Sequence, residues 1–383
     1  MVGAALALGL AAQGCTVAIV ERAAPRTQST ADDARGLALG LSSQQLLRDL
    51  ALWDALAEAA YPIKYVHVTQ RGHFGALRLR HTELGVPALG YVCSAARVHQ
   101  ALTEAVRKQS MITQCGSSRI ANLTTDEIGG RLSVHTPHGR HEWSTQLVIG
   151  ADGSESQVRE LLGIRATRHD YGQTAIVANV DVEFPVPHTA YERLTATGPC
   201  AVLPLNGRRQ VVIRTALSAE IPALLKQTDD AYLAGLEARF GPGLGRFSRL
   251  GARQAHPLIA QRAATLTAPR GVLIGNAANT VHPNGAQGLN LGLRDVATLL
   301  SLINKAKADG ADLGGAELLA SYASARRADH RLTTGFSDLL ARTFALEFPA
   351  FGSARAAAMV VADRLPWVKR TLLRRLSGGR AWA

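Results

Sequence analysis

Apolar residues in the first part of the chain follow two spacings, one typical of buried helices and one of buried strands. Residues 2–10 form an apolar run that is interrupted by glycines at 3 and 9 and is too short to span a bilayer, and residues 1–14 are predicted to form a buried helix. Residues 16–21 are mostly small or β-branched and end in an acid, as in a fully buried strand. Amphipathic helices are predicted over 42–59 and 97–108. Strands that alternate with helices in this way favour a parallel sheet.

A different pattern, the alternation of apolar and polar residues, marks the middle of the chain. It begins within residues 61–93 and returns in a hairpin formed by residues 132–136 and 141–149. Further strands are predicted at 175–184, 191–195, 201–204 and 210–215. A helix follows at 229–240, and helices dominate from 300 to 375. This part of the sequence predicts a second lobe built on an antiparallel sheet.

The two patterns predict lobes that are interleaved along the chain. The lobe with the parallel sheet is assigned to residues 1–60, 95–168 and 252–300, and the lobe with the antiparallel sheet to residues 61–94 and 169–251. Residues 301–383 form a helical C-terminal region with a basic tail. Because no internal repeat or low-complexity linker separates the lobes, they are not expected to behave as independent domains.

The N-terminal helix and the strand after it match part of a dinucleotide-binding βαβ unit. In such a unit a strand and a G-x-G-x-x-G turn precede the helix, and an acid closes the second strand to hold ribose hydroxyls. Gly3 fits the third glycine, 18 positions before Glu21, which fits the acid. The first strand and the first two glycines are therefore expected upstream of Met1, either because Met1 is an internal methionine or because the chain is shortened.

The stretch 272–292 predicts a strand, a glycine-rich loop and the start of a helix. Pro283 fixes one backbone angle, while Gly285 and Gly288 leave the backbone N–H groups uncovered. The helix that follows directs its positive end back toward this loop. Such a loop is suited to a flat, polar and partly anionic ligand.

A second turn of this kind lies in residues 150–159, where a strand delivers Asp152 to Gly153 before another helix. The Asp152 carboxylate can face a ribose or nicotinamide group of a cofactor. The structural alternative is that Asp152 caps the helix that follows it.

These segments resemble two motifs of the FAD-dependent aromatic-ring hydroxylases. Residues 275–290 resemble the second flavin motif, G-D-A-A-H-x-x-x-P-x-x-G-Q-G-x-N, and residues 150–159 match the motif G-A-D-G-x-x-S-x-V-R. Asn276 in place of Asp, and the absence of His at position 279, are most similar to the ubiquinone-biosynthesis branch and its 2-octaprenyl-6-methoxyphenol hydroxylases. Further segments resemble that branch at 71–75, 191–195 and 198–204. The resemblance covers nearly the whole chain.

The resemblance implies an α/β fold with a Rossmann-like FAD-binding lobe, interleaved with an antiparallel-sheet substrate lobe like that of p-hydroxybenzoate hydroxylase, and a helical C-terminus. It implies FAD, reduced by NADPH or NADH, and hydroxylation of a polyprenylated phenol by O2 through a flavin C4a-hydroperoxide. The cofactor-binding residues that it predicts are Gly3, Glu21, Arg35, Arg97, Asp152, Gly153, Asn276, Pro283, Gly288, Leu289 and Asn290. His282 has two alternative roles, a contact with substrate or flavin and a purely structural one. No side chain is assigned a catalytic role.

Charge and composition limit the partners. The formal net charge is +12, but aromatic residues make up only 5% of the chain and no nucleic-acid module is recognisable, so nucleic acid is not expected. Residues 365–376 interleave apolar and basic residues, which suits peripheral contact with an anionic membrane, and a helix packed on the protein is the alternative. We expect a cytoplasmic location, with such contact at the inner face of the plasma membrane and with other ubiquinone-biosynthesis proteins.

His135, His138 and His141 surround an exposed turn, and no metal site is expected there.

Two alternative functions stay open at this point. The chain could be another flavin oxidoreductase of the same fold, although the W-x-W-x-I-P signature of the flavin halogenases is absent. It could also be a non-catalytic or FAD-deficient subunit of a ubiquinone-biosynthesis complex. A yellow purified protein would exclude the second alternative.

Overall fold

A computed structural model describes residues 1–23, 35–281, 287–345 and 349–376. Its helices are α1 (Val2–Ala12), α2 (Leu41–Asp49), α3 (Asp54–Ala57), α4 (Ala95–Lys108), α5 (Gln157–Leu161), α6 (Ile221–Lys226), α7 (Asp229–Phe240), α8 (Gln287–Ala308), α9 (Ala316–Ala345), α10 (Pro349–Arg364) and α11 (Pro366–Leu376). Its strands are β1 (Val17–Val20), β2 (Gly36–Gly40), β3 (Tyr61–Ile63), β4 (Tyr65–Gln70), β5 (Ala76–Arg80), β6 (Gly90–Ser94), β7 (Ile112–Cys115), β8 (Arg119–Thr125), β9 (Gly130–Thr136), β10 (Gly139–Thr145), β11 (Val148–Gly150), β12 (Ala166–Val182), β13 (Thr189–Thr195), β14 (Gly198–Pro204), β15 (Arg209–Leu217), β16 (Phe247–Ser248), β17 (Gln254–Ala263), β18 (Thr267–Ala268), β19 (Gly271–Leu273) and β20 (Asn279–Thr280).

The parallel part of the fold consists of two strand pairs. β1 pairs with β7, and β11 pairs with β19, which also carries the short antiparallel β18. Helix α1 is apolar on every side and buried over most of its length, because it packs between α4, α8 and the β1–β7 pair. The carboxyl ends of these parallel strands form one edge of the lobe, which is where α/β proteins bind ligands.

The antiparallel part is dominated by one large sheet with the strand order β20-β17-β12-β15-β14-β13-β4-β5, with β16 paired to β12. Its outer face carries residues such as Ile176 and Val202, which pack on helices α6 and α7. Its inner face carries the alternate residues, such as Val177 and Val211, which pack on the small sheet β2-β6-β3. The inner face therefore looks toward the lobe that contains the parallel strands.

The predicted fold class is confirmed by this arrangement. The helix expected over 42–59 is wrong in detail, because it is divided into α2 and α3. Ala51 takes a positive φ of 55°, and the N–H groups of Leu52 and Trp53 both donate to the carbonyl of Leu47. This tight turn buries Trp53 in the core, which a continuous helix would not do. Within the described ranges, no helix combines the length and apolar character needed to cross a membrane.

Candidate active site

The two predicted turns lie side by side at the carboxyl ends of β11 and β19. These strands are in register from Val148 opposite Gly271 to Gly150 opposite Leu273. The N–H of Ile274 then donates to the carbonyl of Gly150 at 2.9 Å. Beyond the strands, the hydroxyl of Thr280 donates to that of Ser154 at 3.1 Å. The turn after β11 and the loop after β19 thus form one surface.

The first turn of α1 packs directly on both of these segments. A Cβ added to Gly3 would lie 3.1 Å from the Cβ of Ala151, and one added to Gly292 would lie 2.8 Å from Val2 and 3.0 Å from the Cα of Gly275. Only glycine permits backbones to approach this closely. Helix α1, helix α8 and both turns therefore meet at one point, as the dinucleotide-binding pattern predicts.

Asp152 makes hydrogen bonds to the start of α5. One carboxylate oxygen accepts a hydrogen bond from the Ser156 hydroxyl at 2.5 Å, and the other accepts from the N–H of Val158 at 3.1 Å. This is the helix-capping arrangement considered as the structural alternative. The Asp152 side chain is exposed, and carboxylate oxygens have further lone pairs, so its contact with a cofactor stays a prediction. Gly153 next to it has a φ of 88°, and among the described residues other than its two chain neighbours no atom lies within 4 Å of the position of an added Cβ.

The start of α8 faces the loop after β19. The Oδ1 atom of Asn276 lies 3.9 Å from the position that a Cβ on Gly288 would take, and the Asn276 side chain is exposed. The first N–H groups of an α-helix have no acceptor within the helix, and the dipole adds partial positive charge there. Gly288 and Leu289 therefore present donors beside a neutral amide. His282 and Pro283 lie outside the described residues.

The buried side chain of Asn290 connects α8 to β2 and α2. Its Oδ1 atom accepts hydrogen bonds from the N–H of Gly40 at 2.8 Å and from the Ser43 hydroxyl at 2.6 Å, and its Nδ2 atom donates to the carbonyl of Ala38 at 2.8 Å. Because these bonds occupy the amide, the side chain of Asn290 positions neighbouring segments. A ligand contact through the backbone N–H of Asn290 stays a prediction.

The remaining predicted residues, Glu21, Arg35 and Arg97, are exposed near the same edge. Burial lowers the pKa of the Met1 amine and the Glu21 carboxylate opposes this shift, which indicates that Glu21 lies near the start of α1. Arg35 accepts a hydrogen bond through its carbonyl from the N–H of Ala95, in the first turn of α4, which also carries Arg97. That turn has no acidic residue, and an anion there would be favoured by both guanidinium groups and the helix dipole.

A buried charge network that the sequence pattern did not predict holds the loop after β19. The Asp295 carboxylate, fully buried, accepts hydrogen bonds from the N–H of Gly275 at 3.0 Å, from Arg326 Nε at 2.7 Å and from His330 Nε2 at 2.6 Å. His330 also contacts Asn279. The signal in the sequence was a charged residue within the apolar run at 289–300.

The network continues along α8 and α9 through Asp329. Although burial raises the pKa of Asp329, the guanidinium groups of Arg294 and Arg326 lower it below its usual range. Arg294 reaches the Asp329 carboxylate through two nitrogens, at 2.7 Å and 3.3 Å. Paired charges of this kind fix one helix against another, because each would be costly if it were buried alone.

Two further contacts, also not predicted, tie the two turns together. Arg159 of α5 is buried and donates to the carbonyl of Ala277 at 3.1 Å. Gln261 of β17 donates to the carbonyl of Ser154 at 2.6 Å. The Arg in the motif at 150–159 thus supports the loop after β19. The motif includes Arg159, but the sequence does not indicate which carbonyl accepts its hydrogen bond.

The residues at this edge fit FAD. An open face beside Gly153, donors at the start of α8 and the neutral Asn276 are suited to the polar edge of an isoalloxazine ring and to ribityl oxygens. The Arg35 and Arg97 side chains would supply positive charge for the phosphates, and Glu21 would accept hydrogen bonds from ribose hydroxyls. No cluster of three or more potential metal ligands occurs among the described residues.

Comparisons with known proteins give the family. The family described as "FAD binding domain" matches residues 1–337. The chain is 34% identical to "Ubiquinone hydroxylase UbiL" of Rhodospirillum rubrum, over 99% of this chain and 87% of that one. It is 31% identical to "3-demethoxyubiquinol 3-hydroxylase" of Escherichia coli, over 98% and 95%.

Solved structures agree on the fold. The p-nitrophenol 4-monooxygenase PnpA of Pseudomonas putida superposes with a TM-score of 0.80 at 18% identity, covering 99% of this chain and 96% of that one. Together with the site geometry, these similarities show that the chain belongs to the FAD-dependent aromatic-ring hydroxylases of the ubiquinone-biosynthesis family.

Proposed function

We propose that this enzyme hydroxylates the ring of a polyprenylated phenol in ubiquinone biosynthesis, with O2 and reduced nicotinamide as co-substrates. The observation that carries the proposal is the contact between the turn that contains Gly153 and the loop after β19, which in turn faces Gly288 at the start of α8. Similarity to ubiquinone hydroxylases over nearly the whole chain supports the substrate class.

The protein's part in this reaction is to bind, orient and shield the reactants. When bound, FAD would supply the redox chemistry, namely hydride acceptance from reduced nicotinamide and activation of O2. The first N–H groups of α8 would stabilise negative charge on the flavin ring. Asn276 adds no negative charge near the phosphates, whereas an Asp at this position would. The apolar inner face excludes water from the ring of the substrate.

Helix α11 presents a basic surface with one exposed aromatic residue, and we propose that it contacts an anionic membrane. Its Leu373 is buried and Lys369 pairs with Glu83 at 2.5 Å, so the apolar face expected to meet lipid packs on the protein. The opposite side exposes Trp367, 68% accessible, beside Arg370 and Arg374. A membrane-bound prenyl chain would make such contact useful.

Loss of Arg370 and Arg374, two of the three arginines of α11, should weaken binding to vesicles that contain phosphatidylglycerol. Each Arg near an anionic surface contributes about 1 kcal/mol, so Arg370→Ala with Arg374→Ala should weaken binding about 30-fold, measured by vesicle sedimentation. Replacing the exposed Lys108 and Lys305 with Ala removes the same charge elsewhere and should have a much smaller effect. Equal losses for the two double variants would show non-specific attraction by net charge.

The activity is tested by supplying purified protein with a prenylated methoxyphenol, O2 and NADH or NADPH. We expect a yellow protein, consumption of reduced nicotinamide that depends on the phenol, and a product with one additional oxygen atom on the ring by mass spectrometry. A reaction without the phenol is the control. Peroxide without ring hydroxylation would refute the substrate class, and a colourless protein that does not take up FAD would favour the non-catalytic alternative.

A further inference from the structure

The inner face of the large sheet carries a carboxyl group in an otherwise apolar row. The strand registers place Glu192 of β13 between Val68 of β4 and Ala201 of β14, and continue the row to Ile213 of β15 and Val177 of β12. The neighbouring residue Arg193 points to the outer side of the sheet, where it donates a hydrogen bond to the carbonyl of Phe240. Because successive side chains of a strand alternate, the Glu192 side chain points to the inner side. Glu192 therefore points to the side on which the substrate is expected.

The Glu192 side chain is half-buried and lies in a row that the protein covers only in part. Val68, Glu192 and Ile213 are half-buried, whereas Ala201 and Val177 are buried, so the protein leaves part of this row open. Within the described residues, no hydrogen bond or ion pair reaches the Glu192 carboxylate. Burial raises its pKa to about 7. A carboxyl group with such a pKa can accept a proton near neutral pH.

Among the residues whose side chains the structure describes, no charged group on the packed elements pairs with Glu192. Tyr191, Arg193 and Cys200 of β14 face the outer side of the sheet. The Glu192 charge nevertheless contributes to raising the pKa of the Cys200 thiol. Arg355 of α10 donates to Gln70 Oε1 at 3.4 Å, and burial lowers its pKa. His330 of α9 bonds to Asp295, and the small sheet β2-β6-β3 contributes apolar residues to the inner face.

The row that contains Glu192 lies close to the proposed flavin edge. Val211, on the inner face of β15, would meet a Cβ on Gly36 at 2.6 Å, and Gly36 follows Arg35. Glu192 lies two strands away from Val211 across the sheet, which is about 10 Å. It is also displaced along the strand direction by one inner-facing position, which is about 7 Å. Glu192 therefore lies about 12 Å from the position beside Gly36, a distance that a substituted phenol bound along the inner face would span.

We propose that Glu192 is the general base that removes the phenolic proton of the substrate, an inference that rests on the proposed function. The phenolic O–H bond breaks, the proton moves to a Glu192 carboxylate oxygen, and the electron pair stays on the phenolic oxygen. The resulting phenolate is richer in electrons at its ortho and para carbons. These carbons are then better nucleophiles toward the oxygen atom that the reaction adds.

The pH dependence of kcat/KM tests this role in Glu192→Gln and Glu192→Asp, with the exposed Glu142→Gln as the matched control. Below pH 7 the wild-type carboxyl is protonated and cannot accept a proton, so its kcat/KM should fall about tenfold per pH unit and level off above pH 7. At pH 8 the kcat/KM of Glu192→Gln should be at least about 100-fold below that of the wild type, mostly because kcat is lower. Its kcat/KM should also no longer fall as the pH drops below 7. Glu192→Asp should retain this fall.

A substrate that is already ionised provides a second readout. A fluorinated prenylated phenol with a lowered pKa needs no base at pH 8, so Glu192→Gln should regain most of its rate with that substrate. Flavin content and Tm show whether each variant is folded. The assignment of Glu192 would be overturned if kcat/KM of Glu192→Gln still fell below pH 7, or if the fluorinated phenol did not restore its rate. Hydroxylation by the wild type would in either case keep the proposed function intact. Absence of any hydroxylated product in the wild type would instead refute the proposed function.

Discussion

Asp295→Asn is expected to lower the free energy of unfolding by about 3–5 kcal/mol and to release FAD from the protein. The substitution preserves the size of the side chain but removes its charge. It leaves Arg326 and His330 facing a neutral amide that also has to accept a hydrogen bond from the N–H of Gly275. Because Gly275 precedes Asn276, loss of this anchor should disorder the loop that faces the start of α8.

Urea unfolding and FAD titration measure the two effects of Asp295→Asn. Asp309→Asn, at an exposed position just after the same helix, is the matched control and should change the stability by no more than about 0.5 kcal/mol. If Asp295→Asn unfolded like Asp309→Asn, the network would not stabilise the fold. If it lost stability but retained full FAD affinity, the network would not position the loop after β19.

Substitution of two glycines one turn apart on α8 should separate flavin binding from stability. An alanine Cβ at Gly288 would have ordinary contacts, 3.7 Å to Val281 and 3.9 Å to Asn276, and alanine favours a helix by up to about 1 kcal/mol over glycine. Gly288→Ala should therefore fold at least as stably as the wild type. Because its methyl group stands on the proposed flavin-facing turn, we expect its affinity for FAD to fall at least about tenfold, or 1.4 kcal/mol.

Gly292→Ala should instead lose both properties. Its Cβ would lie 2.8 Å from Val2 and 3.0 Å from the Cα of Gly275, so α1 or the turn would have to move, at a cost of about 1–3 kcal/mol. Thermal unfolding and fluorescence titration with FAD compare the two variants. Unchanged affinity in Gly288→Ala would show that the flavin does not approach this turn.

The sequence predicted the elements of the fold well, because their signals are local. The apolar run at 16–20 and the alternation at 191–195 each reflect the structure of one segment, and both strands are present. The glycine-rich residues 282–286 lie outside the described part of the chain. The predicted meeting of the turns at Gly153 and Gly288 is also observed. The domain boundaries stay a prediction, and β17, which was assigned to the first lobe, pairs with β12 in the large sheet.

The interactions that hold the site together could not be predicted, because they join residues distant in sequence. Asp295 bonds to Gly275 and to α9, and Asn290 bonds to Ala38, Gly40 and Ser43 some 250 positions away. A motif names such residues but gives neither their partners nor whether the side chain or the backbone faces a ligand. For Asp152 and Asn290 the side chains bond within the protein.

Hydrogen exchange followed by mass spectrometry, with and without FAD, tests most directly whether the two turns bind one flavin. We predict that FAD slows exchange in peptides covering 150–158 and 287–293 together, at the same FAD concentration, while the sheet formed by β8, β9 and β10 stays unchanged. Protection of only one of these peptides, or of neither in protein that has bound FAD, would contradict the account.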